Sequence, residues 1–555
     1  MTGDVGELLR RGVEHHRSGR PIDAARLYCL ALMHQPAEHN ALHLLGLLLK
    51  DRGHADHGLR LIGHALRVAP AQLPALVNAA RVHVLNERPA AALPLLKAAA
   101  AVAPDHAEAL LLLGRAWYAG GQPDDHRAAL RIFLRVCRLA PGQAAGWVCA
   151  AHPMIEFERD FARAKRHAAV AIALEPADPA ALTERASARS ELGNHRGALR
   201  DAGRALRINA DTPFAGYVAG FSRLCLGDWN GGLPGLEQRV SRLRLPARHP
   251  ELEVWDGRPL DGETALVLFE EAGLGDTLQF VRYLPAVRRL CRNVVVVCRA
   301  GVEWIVRQVP GSEGIAVNPP QLPARGRKAL FMSLPLLLGA APDRPGAPVP
   351  YVAAPAADTA HWAGRLRGVN GFRVGIVWDN SAPDRPADIM RVLPFPAFER
   401  LAAVPGVRLV SLQKADTPQK RVPEHAVDRV VQLPPDYDAG PDAMRDAAAV
   451  VANLDLVITM DSGIAHLAGA MGRPVWLVLA HRACWRWMDD RETTPWYPTM
   501  RVFRQERPGD WDGVFTRIAA ALTDAASGRA LAGVQDDRRF PVQAPADAEH
   551  EFQQA

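Results

Sequence analysis

Paired cysteines, lysines and long apolar runs are all scarce in this chain, and each scarcity removes a class of protein. Its seven cysteines (Cys29, Cys137, Cys149, Cys225, Cys291, Cys298 and Cys484) are odd in number and include no C-x-x-C pair, which argues against a disulfide scaffold or a zinc ribbon. The longest apolar stretches, such as 41–49 and 334–341, stop well short of the roughly 18 to 20 residues that cross a bilayer, so no transmembrane segment is expected. The opening residues carry acids, histidines and arginines where a signal peptide needs an apolar stretch, and the cytoplasm is the expected compartment. Aromatic residues make up only 6%, yet 48% hydrophobic and 23% charged residues form an ordinary globular composition, neither collagen-like, mucin-like nor globally disordered. Sixty-six basic against 60 acidic residues leave a net charge of +6, a mild excess that identifies no nucleic-acid partner. Only six of those basic residues are lysine, so arginine is the surface default. A length of 555 residues allows about three to four compact units.

What is present begins with a period. Prolines close successive segments at Pro36, Pro70, Pro104, Pro141 and Pro176, with Ala210 in the next slot, giving steps of 34, 34, 37, 35 and 34 residues. Small residues recur in phase as Ala24, Gly58, Ala92, Ala129, Ala164 and Ala198, and seven later as Ala31, Ala65, Ala99, Val136, Ala171 and Ala205. Small side chains are what let two helices cross closely, and Leu42, Leu45 and Gly46, or Leu110, Leu113, Gly114 and Phe133, fit the other signature positions of the same frame. Residues 5 to 212 therefore resemble six tetratricopeptide repeats, with 214–240 as a degenerate seventh hairpin. The expectation for 1–240 is an α-solenoid whose groove takes extended peptides, with a spacer or self-association role as the plainer alternative.

After a proline- and arginine-rich linker at 241–262, short apolar runs alternate with helical segments, the pattern of α/β structure. Strands are expected at 265–269 and 293–298 and helices at 276–290 and 302–309, forming an N-terminal lobe over 263–341. Pro342, Pro345, Pro348, Pro350 and Pro355 mark a hinge at 342–370. In 371–523, strands are expected at 372–378, 407–412, 455–459 and 475–479, with helices at 395–403, 443–453 and 463–471. Two doubly wound, Rossmann-like lobes in succession have the layout of GT-B glycosyltransferases, whose cleft lies between the carboxyl ends of both sheets. Residues 524–555, polar and aperiodic, read as a disordered tail.

Two segments concentrate the chemistry. In ALVLFEEAGLGDTLQF a strand runs through Gly273 and Gly275 into a helix, with Asp276 at the mouth of the sheet. Glycines there allow a tight turn and close approach, and a carboxylate so placed can take the proton from an attacking hydroxyl, although helix capping explains an Asp equally well. In LDLVITMDSGIAHLAGAMGRPVW, Asp461, Ser462 and Gly463 lead into a helix whose first turn suits a diphosphate. His466, one turn in, can donate to a phosphate oxygen or merely pack, and Asp461 caps the helix or holds a ribose hydroxyl. Lys414 follows a strand end where a phosphate would be met, or is an ordinary loop lysine. Trp485, Trp487, Trp496 and Tyr497 can stack on a base or sugar, or simply pack. Asp436-Tyr437-Asp438 has the D-x-D form of a metal site but sits in a proline-flanked loop away from a strand end, so no metal is expected.

Together EEAGLGDTLQFVRYLP, FRVGIVWDN, VRLVSLQK, LDLVITMDSGIAHLAGAMGRPVW and CWRWMDDRETTPWYPTMRVFRQ resemble bacterial proteins that fuse tetratricopeptide repeats to a heptosyltransferase-like domain of glycosyltransferase family 9. The resemblance implies a metal-independent GT-B transferase without a cofactor, with a nucleotide-diphosphate sugar in the C-terminal lobe and the acceptor against the N-terminal lobe. By motif match it assigns Asp276 as general base and puts Lys414, Ser462, Gly463 and His466 at the donor diphosphate. Two departures stand out. Arg391 is kept but is followed by Val392 where the family has Ser or Thr, and Ala272 replaces a Gln beside Glu271. The leading reading is an active, inverting glycosyltransferase with a protein or glycan acceptor recruited in part by the solenoid. The alternative is an interaction scaffold with a vestigial transferase domain.

Overall fold

A computed structural model of the chain describes residues 4–242, 249–271, 273–340, 344, 346–379, 391–414, 417–489 and 491–529. It divides into two compact units, Met1–Ala215 and Gly216–Ala555.

Among the described residues of the first unit, twelve helices pair as six hairpins. They are α1 (Val5–Arg17) with α2 (Pro21–His34), α3 (His39–Asp51) with α4 (Ala55–Val68), and α5 (Leu73–Leu85) with α6 (Pro89–Val102). Next come α7 (Ala107–Gly120) with α8 (Pro123–Leu139), α9 (Ala144–Pro153) with α10 (Phe161–Leu174), and α11 (Pro179–Glu191) with α12 (His195–Ile208). Every phased small residue is where two helices cross: Ala24, Ala92, Ala129, Ala164 and Ala198, and the later set from Ala31 to Ala205, are all fully buried. The closest crossing joins α3 to α4, where a Cβ on Gly58 would stand 2.4 Å from the Gly46 carbonyl oxygen. The irregular steps have visible causes. In the fourth repeat α8 has 17 residues where α2, α4, α6, α10 and α12 have 14. In the fifth the chain passes from α9 to α10 through a π-helical turn at Met154–Glu158, and such a turn holds one residue more than an α-helical one.

The second unit begins within α13 (Pro213–Cys225), so α14 (Trp229–Leu236) and α15 (Arg239–Arg242), expected to close the solenoid, belong to it. Trp229 is buried there with its ring stacked 4.7 Å from Trp496. The stretch expected as a linker contributes β1 (Leu252–Val254), and the first sheet continues with β2 (Ala265–Phe269), β3 (Asn293–Val297), β4 (Ala316–Val317) and β5 (Gly326–Leu330). Between β2 and β3 lie α16 (Leu274–Phe280) and α17 (Leu284–Leu290); α18 (Glu303–Val306) and α19 (Leu334–Leu337) follow. The expected hinge also carries structure, α20 (Ala356–Arg365) with a buried Trp362. The second sheet is built of β6 (Phe372–Val377), β7 (Val407–Ser411), β8 (Val430–Gln432), β9 (Leu456–Met460), β10 (Val475–Leu479) and β11 (Met500–Arg504). Its helices are α21 (Phe395–Ala402), α22 (Arg445–Ala452), α23 (Gly463–Ala470) and α24 (Trp511–Ala526). The tail expected from 524 thus begins as helix, and residues 530–555 lie outside the described ones.

Both sheets are parallel, in the orders β1-β5-β2-β3-β4 and β11-β10-β9-β6-β7-β8. Parallel strands need covering on both faces, which is why β2, β9 and β10 are buried at every position and, Thr459 of β9 aside, apolar. The strand order reverses between β2 and β5 in one sheet and between β6 and β9 in the other. At such a switch the loops at the carboxyl ends diverge and leave a crevice.

Candidate functional site

One cleft of about 440 Å³ sits at these carboxyl ends, lined from the first sheet by Gly273 to Asp276 and from the second by residues following β6, β7, β9 and β10. All nine residues singled out in the sequence line it: Gly273, Gly275, Asp276, Arg391, Lys414, Asp461, Ser462, Gly463 and His466. Asp276 is not the cap of its helix. Gly273 holds that place with an extended backbone, and Asp276 sits in the first turn with Oδ2 accepting the Gly273 N–H at 2.8 Å. The expected reason for two glycines holds for one. A Cβ on Gly275 would come within 2.7 Å of His466 Cδ2, whereas Gly273 has ordinary φ and room for a side chain. Gly275 is what lets α16 and α23 meet.

The other Asp276 oxygen, Oδ1, pairs with Arg486, a residue the motif reading passed over. Arg486 is buried, donates Nε to Gln279 Oε1 at 2.7 Å and Nη1 to Cys484 Sγ at 3.0 Å, and lies over the rings of Trp485 and Phe280. Burial works against its charge, but Asp276 and Asp461 overcome this and keep it protonated above the usual arginine range. Nothing in its spacing announced it, because Asp276 and Gln279, which it grips, come from α16, over two hundred residues away.

On the other wall Ser462, not Asp461, caps α23, with Oγ 3.4 Å from the Ala465 N–H and 2.9 Å from Thr459 Oγ1. Asp461 instead faces Arg391 at 3.6 Å and His466 Nε2 at 4.0 Å. Burial would raise its carboxyl, yet the positive charge of Arg391, reinforced by Arg486, holds it below the usual value. His466 is buried, which drives its pKa down to about 4 against the pull of Asp461, so the ring is neutral near pH 7. Its Nδ1 lies 2.9 Å from the Tyr497 hydroxyl. Lys414 donates Nζ to the Asp438 carbonyl at 3.0 Å.

One open alternative is decided here and one sequence expectation changes. The aromatic run does not face the cleft: Trp485, Trp487, Trp496 and Tyr497 are all buried, so packing is their role, with Trp487 stacked 5.2 Å from His466. The D-x-D loop, set aside as remote, does reach the cleft. Tyr437 and Asp438 line it, while Asp436 is tied to Arg365. Burial raises the Asp438 carboxyl. Asp379, Gln413, Lys420 and Cys484 also line the cleft, although none of them was singled out as a site residue. Val392 follows Arg391 without lining the cleft, and Ala272 lies outside the described residues.

Comparison with known proteins bears on both halves. A family model described as glycosyltransferase family 9 (heptosyltransferase) matches residues 409–507, and a tetratricopeptide-repeat model matches residues 83–132. Protein FlbA of Caulobacter vibrioides is 28% identical over 382 residues, 64% of this chain; the chain spans 63% of that relative's length. Among solved structures, a tetratricopeptide repeat protein from Parabacteroides merdae is 18% identical, covering 43% of this chain and 92% of its own, with a TM-score of 0.35. PilF of Pseudomonas aeruginosa is 15% identical, covering 38% and 94%, with a TM-score of 0.34. The chain thus joins a tetratricopeptide-repeat region to a glycosyltransferase family 9 domain.

Proposed function

We propose that the second unit moves a sugar from a nucleotide-diphosphate donor to an acceptor hydroxyl with inversion, in a GT-B arrangement and without a metal ion, and that the repeats recruit a protein or glycan acceptor. The observation that carries this reading is the convergence of Asp276, from one sheet, with the Asp461–His466 turn, from the other, on a single cleft. Asp276 accepts the acceptor proton as the oxygen attacks the anomeric carbon. The bond to the diphosphate breaks, and the leaving oxygens gain charge. That charge is met by the first turn of α23, the Ser462 hydroxyl, Lys414 and Arg391, cations and dipoles that do the work a divalent ion does elsewhere. His466, neutral, contributes an N–H and adds no charge. With Asp461 held ionised beside Nε2, the proton belongs on Nε2 and the Tyr497 hydroxyl donates to Nδ1.

A ligand that binds the native chain raises its apparent melting temperature, so a thermal-shift screen against UDP-, GDP-, ADP-, CMP- and dTDP-sugars tests the reading. A clear shift with one donor names it. The scaffold alternative draws on Val392, where a hydroxyl side chain would follow Arg391, and it expects no shift with any donor.

A further inference from the structure

The first unit carries a feature that the transferase reading does not use. In the contacts between repeats, first helices touch one another, as α5 touches α7 and α9 touches α11, and no pair of second helices among the described residues is as closely packed. The second helices therefore form the outer layer, and on α8 and α12 the exposed positions are dominated by arginine. On α8, Arg127, Arg131, Arg135 and Arg138 recur at helical spacing along one exposed stripe. On α12, Arg196, Arg200, Arg204 and Arg207 do the same, and between them α10 exposes Lys165 and Arg166. The pattern keeps the repeat frame: Arg26, Arg60, Arg131, Arg166 and Arg200 occupy one slot, broken only by Pro94. An arginine-rich composition raises the number of arginines everywhere but does not sort them onto one face.

Opposing charge is limited: Arg135 pairs with Asp105, from the loop before α7, at 2.8 Å, and Arg127 with Asp124 at 2.9 Å. Acidic residues on these three helices are Asp124 and Asp125 in the first turn of α8, and Asp201, which is buried and held by Arg185 and Arg189 from α11. Beside the arginines each helix ends in an exposed aliphatic side chain, Leu139 (39% exposed), Leu174 (39%) and Ile208 (44%).

We propose that this outer face of repeats four to six docks on an anionic membrane surface. Guanidinium groups spread over three adjacent helices match a plane of mobile anionic headgroups, and the aliphatic ends supply apolar contact just below it. A nucleic acid fits less well, because none of the three helices exposes an aromatic ring for base stacking.

The test is sedimentation of the full chain with phosphatidylcholine vesicles, with and without phosphatidylglycerol, and with a single-stranded RNA homopolymer as competitor. Binding is expected only with the anionic lipid, falling as salt rises. Replacing Arg131, Arg200 and Arg204 by glutamate should weaken it at least about a hundredfold, near-surface basic residues contributing about fivefold each. The same three changed to lysine should retain most of it, which separates lost charge from lost fold. No binding to phosphatidylglycerol vesicles, binding that survives the glutamate variant, or displacement by the RNA would overturn the proposal.

Discussion

A histidine ring buried next to an ionised carboxylate is held in one tautomer by whatever bonds its other nitrogen, and here that is Tyr497. Tyr497→Phe keeps the ring packed against Gly469 but removes the hydroxyl, leaving Nδ1 unsatisfied. A loss of about 1–3 kcal/mol in chemical denaturation is expected, with a changed imidazole nitrogen spectrum in histidine-labelled protein. An unchanged spectrum would remove Tyr497 from that role. The same ring makes stability depend on pH in a defined sense. Its pKa is depressed to about 4 from the usual 6.5, so below pH 6.5 the unfolded chain takes up a proton that the native ring refuses. Stability from this group is full above pH 6.5, falls as the pH drops toward 4, and amounts to about 3 kcal/mol over the window. His466→Gln should therefore lie closer to the wild type, or above it, near pH 4 than near pH 7, as measured by denaturant titration at both. A constant gap would show that the native ring titrates normally.

At the scale of elements, the site depends on α16 and α23 meeting, and the solenoid on its small residues. Gly275→Ala puts a methyl group 2.7 Å from His466 Cδ2 and should separate the two helices, at about 1–3 kcal/mol of stability and with weaker donor binding. Gly58→Ala sets a Cβ 2.4 Å from the Gly46 carbonyl and should destabilise the solenoid comparably while leaving donor affinity alone. Calorimetry together with a nucleotide-sugar titration separates the two. These contrasts also explain what the sequence made legible. The phased alanines announced the crossings because a 34-residue period repeats the same packing problem. Buried strands such as β2 and β10 were readable to the residue, since continuous apolar runs leave little choice of ends. Short edge strands such as β1 and β8 were not, because three partly exposed residues carry no periodicity. β5 was hidden by Arg327 and by Lys328, a buried lysine whose Nζ donates to the His249 carbonyl.

On the scale of the whole molecule, the cleft residues named from the sequence do come together, and the reason is topological: each lies at the carboxyl end of a parallel strand near a switch in strand order. What lay beyond reach were groups whose partners are distant in sequence. Arg486 grips Asp276 and Gln279 of α16. Tyr437 and Asp438 reach the cleft from a loop that local pattern placed elsewhere. On this reading Asp276 serves as the base of a sugar transfer whose donor is held by the opposite wall. The most direct measurement is the binding and turnover of a nucleotide sugar by the wild type and by Asp276→Asn. If Asp276 is the base, the variant binds the donor with nearly unchanged affinity and turns it over about 10²–10⁴-fold more slowly. Equal turnover by both proteins would contradict the assignment.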